Sequence, residues 1–204
     1  MKKNCSLHSN LFDSLAVALA GMLALMLGAC HSSPTKIYTI EAISPETRID
    51  TYAAPPLRVD TLNIPASWDR IEILTVAGTG ALEIHDFDHW SAPLAQIARQ
   101  TLSDDLDRRL PPGSVIYPRL PKSTGALGVN VDILEFSVAG AQASMRASWW
   151  VVPVGGMANA KRSAVTLHAS LPSAEPAGVA RAWSTLLGQL ADRIASDAAS
   201  FASP

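Results

Sequence analysis

The sequence predicts an α+β fold, an antiparallel sheet with two long amphipathic helices packed on one face. Three observations carry this. Apolar residues recur at spacings of three and four along 94–110 and 179–201, the stripe of a helix with one buried face. Along 127–138, 145–152 and 163–171 they alternate instead, as half-buried strands do. The order is strands, helix, strands, helix, which supplies too few crossover helices for a doubly wound parallel sheet.

Lys36–Ile43 is β-rich and reads as the first strand, and 47–56 as a loop. Leu57–Ile64, closed by Pro65, is the second strand, and Ile71–Val76 the third. Gly78-Thr79-Gly80 turns the chain into Ala81–Phe87, a fourth strand forming a hairpin with the third. Leu94, Ile97, Ala98, Leu102, Leu106 and Leu110 mark the first helix, with Ser91 placed to cap it and Pro93 suited to its first turn. Pro111-Pro112-Gly113 stops it, and Val115–Tyr117 resumes a strand. Leu127–Val138 and Met145–Val152 form the strongest hairpin, turning at Ala139-Gly140-Ala141, with Ser163–Leu171 as a further partner. The closing helix runs from Pro176 to Ser200 on the stripe Val179, Trp183, Leu186, Leu187, Leu190, Ile194, Ala198 and Phe201.

The N-terminal region has a different character. Lys2 and Lys3 precede the apolar run Leu15–Leu27, which ends in Leu27-Gly28-Ala29-Cys30. A positive start, a short apolar stretch, small residues and then cysteine read as a bacterial lipoprotein signal with its lipobox. The run is roughly 13 residues, against the roughly 20 that a bilayer-spanning helix needs. The expected organisation is a signal peptide over 1–29, a lipidated tether over 30–36 starting at Cys30, and one domain over 37–204. Cleavage removes Cys5, and Cys30 carries the lipid, so no thiol remains for a disulfide, a Cys-rich metal site or thiol catalysis. His31 and Ser32 follow the cysteine rather than an aspartate, so the expected location is the periplasmic face of the outer membrane. Fully extended, His31 to Lys36 reaches only about 20 Å, which holds the domain close to the bilayer.

A formal net charge of −2 without a basic cluster argues against nucleic acid and against electrostatic binding to anionic lipid. His85-Asp86-Phe87-Asp88-His89-Trp90 is the cluster with metal-ligand residue types, but its histidines are spaced for a helix and fall on a strand leading into a loop. Asp104, Asp105 and Asp107 read as a solvated helix face partnered by Arg108 and Arg109. Gly78-Thr79-Gly80 and Gly155-Gly156 lack the lysine and hydroxyl residue of a phosphate loop, and no nucleophile elbow is present. No catalytic residues, cofactor or metal are assigned. Trp149 and Trp150 are adjacent on a strand and so point to opposite faces. Trp149 shares the register of Met145, Ala147 and Val151. Trp150 therefore lies either beneath the Pro153–Ala160 loop or at a partner interface, where exposed tryptophans often dominate binding.

Several of these segments together resemble the ABC-type transport auxiliary lipoproteins, the PqiC-like family. The lipobox is followed by a short strand around Tyr38 and by the strand ending at Pro65. Phe87-Asp88-His89-Trp90-Ser91-Ala92-Pro93-Leu94 looks like the family's Phe-x-x-Trp-x-x-Pro-Leu helix entry. Val115-Ile116-Tyr117-Pro118, the hairpin ending at Trp149, and Ala182-Trp183-Ser184-x-x-Leu187-Gly188-Gln189-Leu190-Ala191-x-x-Ile194 complete the match. The apolar Gly155–Ala160 loop departs from the polar turn expected there. The resemblance implies a non-catalytic accessory role in lipid transport between membranes. Its implied partners are an MCE-domain periplasmic subunit and an inner-membrane permease, and a homo-oligomer would suit a multimeric partner. Docking would use the sheet face without helices, with Trp150, Gly155 and Gly156 as the partner-binding residues. A structural envelope-bridging lipoprotein and a membrane-tethered hydrolase built on His85 or His89 are the competing readings.

Overall fold

In the computed structural model, which describes residues 34–76, 81–121, 125–153 and 156–201, the elements run β1 (Lys36–Tyr38), β2 (Leu57–Asn63), β3 (Glu72–Val76), β4 (Leu82–Trp90), α1 (Leu94–Arg109), β5 (Leu127–Ala139), β6 (Gln142–Val152), β7 (Lys161–Ser170) and α2 (Pro176–Ala199). The class is α+β, as the periodicities require. The expected signal peptide over 1–29, Cys30, the expected turn at Gly78–Gly80 and Gly155 lie outside the described residues, while Thr35–Pro204 forms one compact unit.

The expected single antiparallel sheet is instead two mixed sheets, ordered β1-β4-β3 and β2-β5-β6-β7. Each contains one parallel pair, β1 with β4 and β2 with β5. The cause is chain length between partners. β3 and β4, and β5 and β6, follow one another closely in sequence and pair antiparallel. Between β2 and β5 run β3, β4 and α1, a connection long enough to return the chain in the same direction. The predicted turn at Gly140 is present, with φ of 59°. The predicted strand at Val115–Tyr117 reduces to a single parallel bridge from Val115 to Leu57.

Both helical stripes face the core. Leu94, Ala98, Leu102, Leu106 and Leu110 of the first are buried, as are Val179, Trp183, Leu186, Leu187, Leu190, Ile194 and Ala198 of the second. Helix α1 packs on β2, and α2 packs on β6, β7 and β3. At the centre, Trp183 stacks on Phe136 with ring centroids 4.6 Å apart, and Trp68 meets Phe136 edge-on at 4.8 Å. The cap expected from Ser91 is not formed. Pro93 occupies the N-cap position, and the Ala95 amide is satisfied by Asp69 Oδ1 at 3.0 Å, from a distant loop.

β1 ends at Tyr38 rather than Ile43, because the next residues form a strap across both helices. Glu41 N donates to Ser184 Oγ (3.0 Å) and Thr101 Oγ1 donates to the Ile40 carbonyl (3.1 Å). Farther along, Ile49 N donates to the Arg109 carbonyl (2.8 Å) and Arg48 Nη2 to the Leu110 carbonyl (3.0 Å). Backbone groups that a sheet would have paired are satisfied by helix side chains and helix ends.

Candidate functional site

The four-stranded sheet has two unlike faces, because alternate residues point opposite ways. Inward residues of β5 and β6, among them Val129, Val131, Met145, Ala147 and Trp149, are buried beneath the helices. Trp149 Nε1 and Ser163 Oγ both donate to Asp197 Oδ2 of α2, at 3.0 and 2.6 Å. Lys161 Nζ lies 2.8 Å from Asp197 Oδ1. Burial pushes this carboxyl up, but the hydrogen bonds from Lys161 and Ser163 outweigh it and hold the pKa below the usual value.

The outward face carries no helix among the described residues. Strand register aligns Thr61, Asn130, Trp150 and Arg162 in one row across all four strands. Thr61 Oγ1 donates to Asn130 Oδ1 (2.9 Å), and Asn63 Nδ2 donates to Asp132 Oδ1 (2.7 Å) in the next row. Trp150 is half-buried, and the Arg162 guanidinium lies over its ring at 5.7 Å from the centroid. The parity argument for the two tryptophans therefore holds, and Arg162 is a neighbour that sequence parity alone did not identify. Beyond β6, Gly156 takes a φ of 89° and its amide donates to the Pro153 carbonyl (3.0 Å). A single helical turn, Met157–Asn159, follows, with Met157 exposed. Since Val151 pairs with Lys161, this loop closes the β6–β7 hairpin next to the Trp150–Arg162 pair.

The histidine cluster is split by β4. His85 Nε2 shares a hydrogen bond with Thr75 Oγ1 (2.8 Å), and its Nδ1 lies 3.8 Å from Asp88 Oδ2. His89 Nε2 lies 2.9 Å from the Asp86 carbonyl. Among the described residues, no group of three His, Cys, Asp or Glu side chains is arranged to hold a metal.

One of the three helical aspartates departs from the solvated face expected for it. Asp105 is 0% exposed. Its Oδ1 accepts from Ile43 N (2.7 Å) and Arg109 Nη1 (3.3 Å), while Oδ2 has no hydrogen-bond partner. Arg109, also buried, donates from Nε to Asp192 Oδ1 (2.6 Å) and from Nη1 to the Ile43 carbonyl (3.0 Å). Burial raises the Asp105 carboxyl to about 6 against the opposing pull of the Ile43 amide and Arg109. The signal was in the spacing, since Asp105 and Arg109 stand three and seven residues after Leu102, at stripe positions. This buried pair clamps the strap onto the helices.

With the fold in place, the comparisons give the identity of the group. The family model for the ABC-type transport auxiliary lipoprotein component matches residues 38–195, and the chain belongs to that family. It is thus a member of a family of membrane-anchored lipoproteins associated with ABC-type transport systems. A crystal structure of an uncharacterized protein is similar at a TM-score of 0.64, with 13% identity over 81% of this chain and 99% of that one. A Xanthomonas campestris protein assigned to family DUF330 gives a TM-score of 0.60, with 15% identity over 81% of this chain and 96% of the other. At these identities the two structures speak for the fold alone. A search of curated proteins finds no match.

Proposed function

We propose that the protein is the outer-membrane accessory subunit of an MCE-type ABC lipid transporter, acylated at Cys30 and docking the transporter's periplasmic subunit without catalysing a reaction. The observation that carries this reading is the outward face of the four-stranded sheet. Among the described residues it carries no helix, it is hydrogen-bonded into polar rows, and the Trp150–Arg162 pair stands at its β6–β7 edge. A rigid aromatic under a guanidinium beside a loop with an exposed methionine has the composition of a binding hot spot. The family membership supports association with a transporter, and the short reach from Cys30 supports a fixed station at the membrane. Gly156, with its φ of 89°, turns the chain in the loop that borders the face. The MCE-domain subunit, with the permease behind it, is the partner this surface serves.

The test is affinity purification of the tagged, acylated protein from detergent-solubilised envelopes, with partners identified by mass spectrometry. Recovery of an MCE-domain subunit together with its permease is expected. Recovery of porins or peptidoglycan-associated proteins alone would overturn the reading in favour of an envelope bridge.

A further inference from the structure

The three-stranded sheet exposes a strip of large apolar side chains. Leu82, Ile84 and Phe87 of β4 are 43%, 45% and 49% exposed, and Ile37 of β1 is 63% exposed. Simple alternation would put Phe87 on the opposite side from Leu82 and Ile84. The register corrects this. Leu82 and Ile84 stand opposite Val76 and Leu74, and His85 stands opposite Ile73. The next residue of β3, Glu72, meets His89, so Asp86, Phe87 and Asp88 bulge between those pairs. An odd insertion reverses the alternation of β4 relative to β3.

Glu72, Leu74 and Val76 share one face of β3, so His89 lies on that face as well. Phe87, two residues before His89, joins it, as does Ile37, which pairs with His89 from β1. The other face then holds Ile73, Thr75, His85, Asp88, Tyr38 and Trp90. The contacts agree, since Thr75 meets His85, Tyr38 Oη donates to Asp88 Oδ1 (2.9 Å), and Ile73 and Trp90 are buried. The bulge therefore gathers Leu82, Ile84, Phe87 and Ile37 onto a single open face. Leu74, on the same face, is buried, so the open strip follows β4 and β1.

We propose that this strip is a membrane-contact surface, lying against the bilayer that holds the acyl chains of Cys30. The inference rests on the lipidation reading. Ile37 is the second residue of β1, and the chain from His31 to Lys36 reaches at most about 20 Å. Of the two sheets, this one contains the strand that begins where the tether ends. The acid on the face, Glu72, is paired with Arg70 at 3.2 Å. The strip thus offers apolar surface rather than a charged patch, and the chemistry it fits is the headgroup–acyl boundary of a lipid surface. Contact there gives the domain a fixed orientation at the membrane.

The experiment uses the acylated protein in vesicles of phosphatidylethanolamine and phosphatidylglycerol. After cleavage and acylation no native thiol is free, so Ile84→Cys, Phe87→Cys and a control, Thr166→Cys on the outward face of β7, each take one environment-sensitive fluorophore. These positions are exposed, so the label displaces no core residue. Labels at 84 and 87 should shift to the blue and lose most of their emission to spin-labelled lipid, while that at 166 stays unquenched. Labels at 84 and 87 that remain as open to aqueous iodide as 166 would overturn the inference. Shielding that spin-labelled lipid does not quench would overturn it too, since a second copy or another protein would then cover the strip. A mass lacking the diacylglycerol would overturn the Cys30 reading, and this inference with it. An acylated protein with water-exposed labels overturns this inference alone.

Discussion

Replacing Arg109 by methionine removes a cation that is 4% exposed from beside a carboxyl that is 0% exposed. Asp105 then keeps one hydrogen bond, from the Ile43 amide, and no counter-charge within the core. Breaking one side of a buried pair costs about 3–5 kcal/mol. The Asp192 half of the cluster adds little, because that side chain is half exposed. For a domain of this size the loss corresponds to a fall in Tm of about 6–20 °C. The pH dependence identifies the cause. The folded pKa of Asp105 is already raised to about 6, above an unfolded value of about 3.9, and losing the guanidinium raises it further. Stability from a raised carboxyl is complete below the unfolded pKa and is lost as pH rises through the folded one. The variant's deficit should therefore be full near pH 7.5 and shrink to about 1–3 kcal/mol near pH 5, where Asp105 is protonated and only hydrogen bonds are missing. Urea unfolding followed by tryptophan fluorescence at both pH values measures this. The Asp105→Asn, Arg109→Met double variant should recover most of the loss. A deficit under about 1 kcal/mol, or one equal at both pH values, would refute the uncompensated-charge argument.

Asp197→Asn should cost about 1–3 kcal/mol near pH 7, because Lys161 loses its charge partner and Trp149 and Ser163 compete for a weaker acceptor. Since the folded pKa of Asp197 is lowered, its contribution is present above about 3.9 and is lost as pH falls through the folded value, so denaturation curves of variant and parent should converge in acid. Gly178→Ala should destabilise by about 1–3 kcal/mol despite alanine's helix preference, because a Cβ there collides with the Ser173 backbone; thermal melting reads the sign. Trp150→Ala should leave Tm within a few degrees, as its half-buried ring on the outward sheet face is covered by the Arg162 guanidinium, while weakening capture of the transporter subunit.

How much was legible in the sequence varied with the range of the interaction. Both helices and the β5–β6 hairpin are specified locally, by stripes and by a turn at Gly140, and they appeared within a few residues of expectation. Sheet partnership was not, because β1 and β2 pair with strands far along the chain, and alternation says nothing about which strand lies alongside. The helix cap failed for a similar reason, since Asp69 reaches Ala95 from another loop and left Ser91 without that task. Asp105 was misread because a carboxylate on a helix suggests solvent, whereas its spacing from Leu102 placed it in the core with Arg109. Of the expected partner-binding residues, Trp150 emerged by side-chain parity on the outward face of the four-stranded sheet. Its companion Arg162 needed the β6–β7 register, which only the fold supplies.

The most direct test of the docking account is site-specific photocrosslinking in intact cells, with the crosslinker placed at Trp150 and Arg162, and at Arg181 on α2 as a control. The account predicts that positions 150 and 162 trap an MCE-domain periplasmic subunit and that position 181 does not. Crosslinks to that subunit from 181 but not from 150 or 162, or crosslinks from the sheet face to envelope-bridging proteins alone, would contradict it.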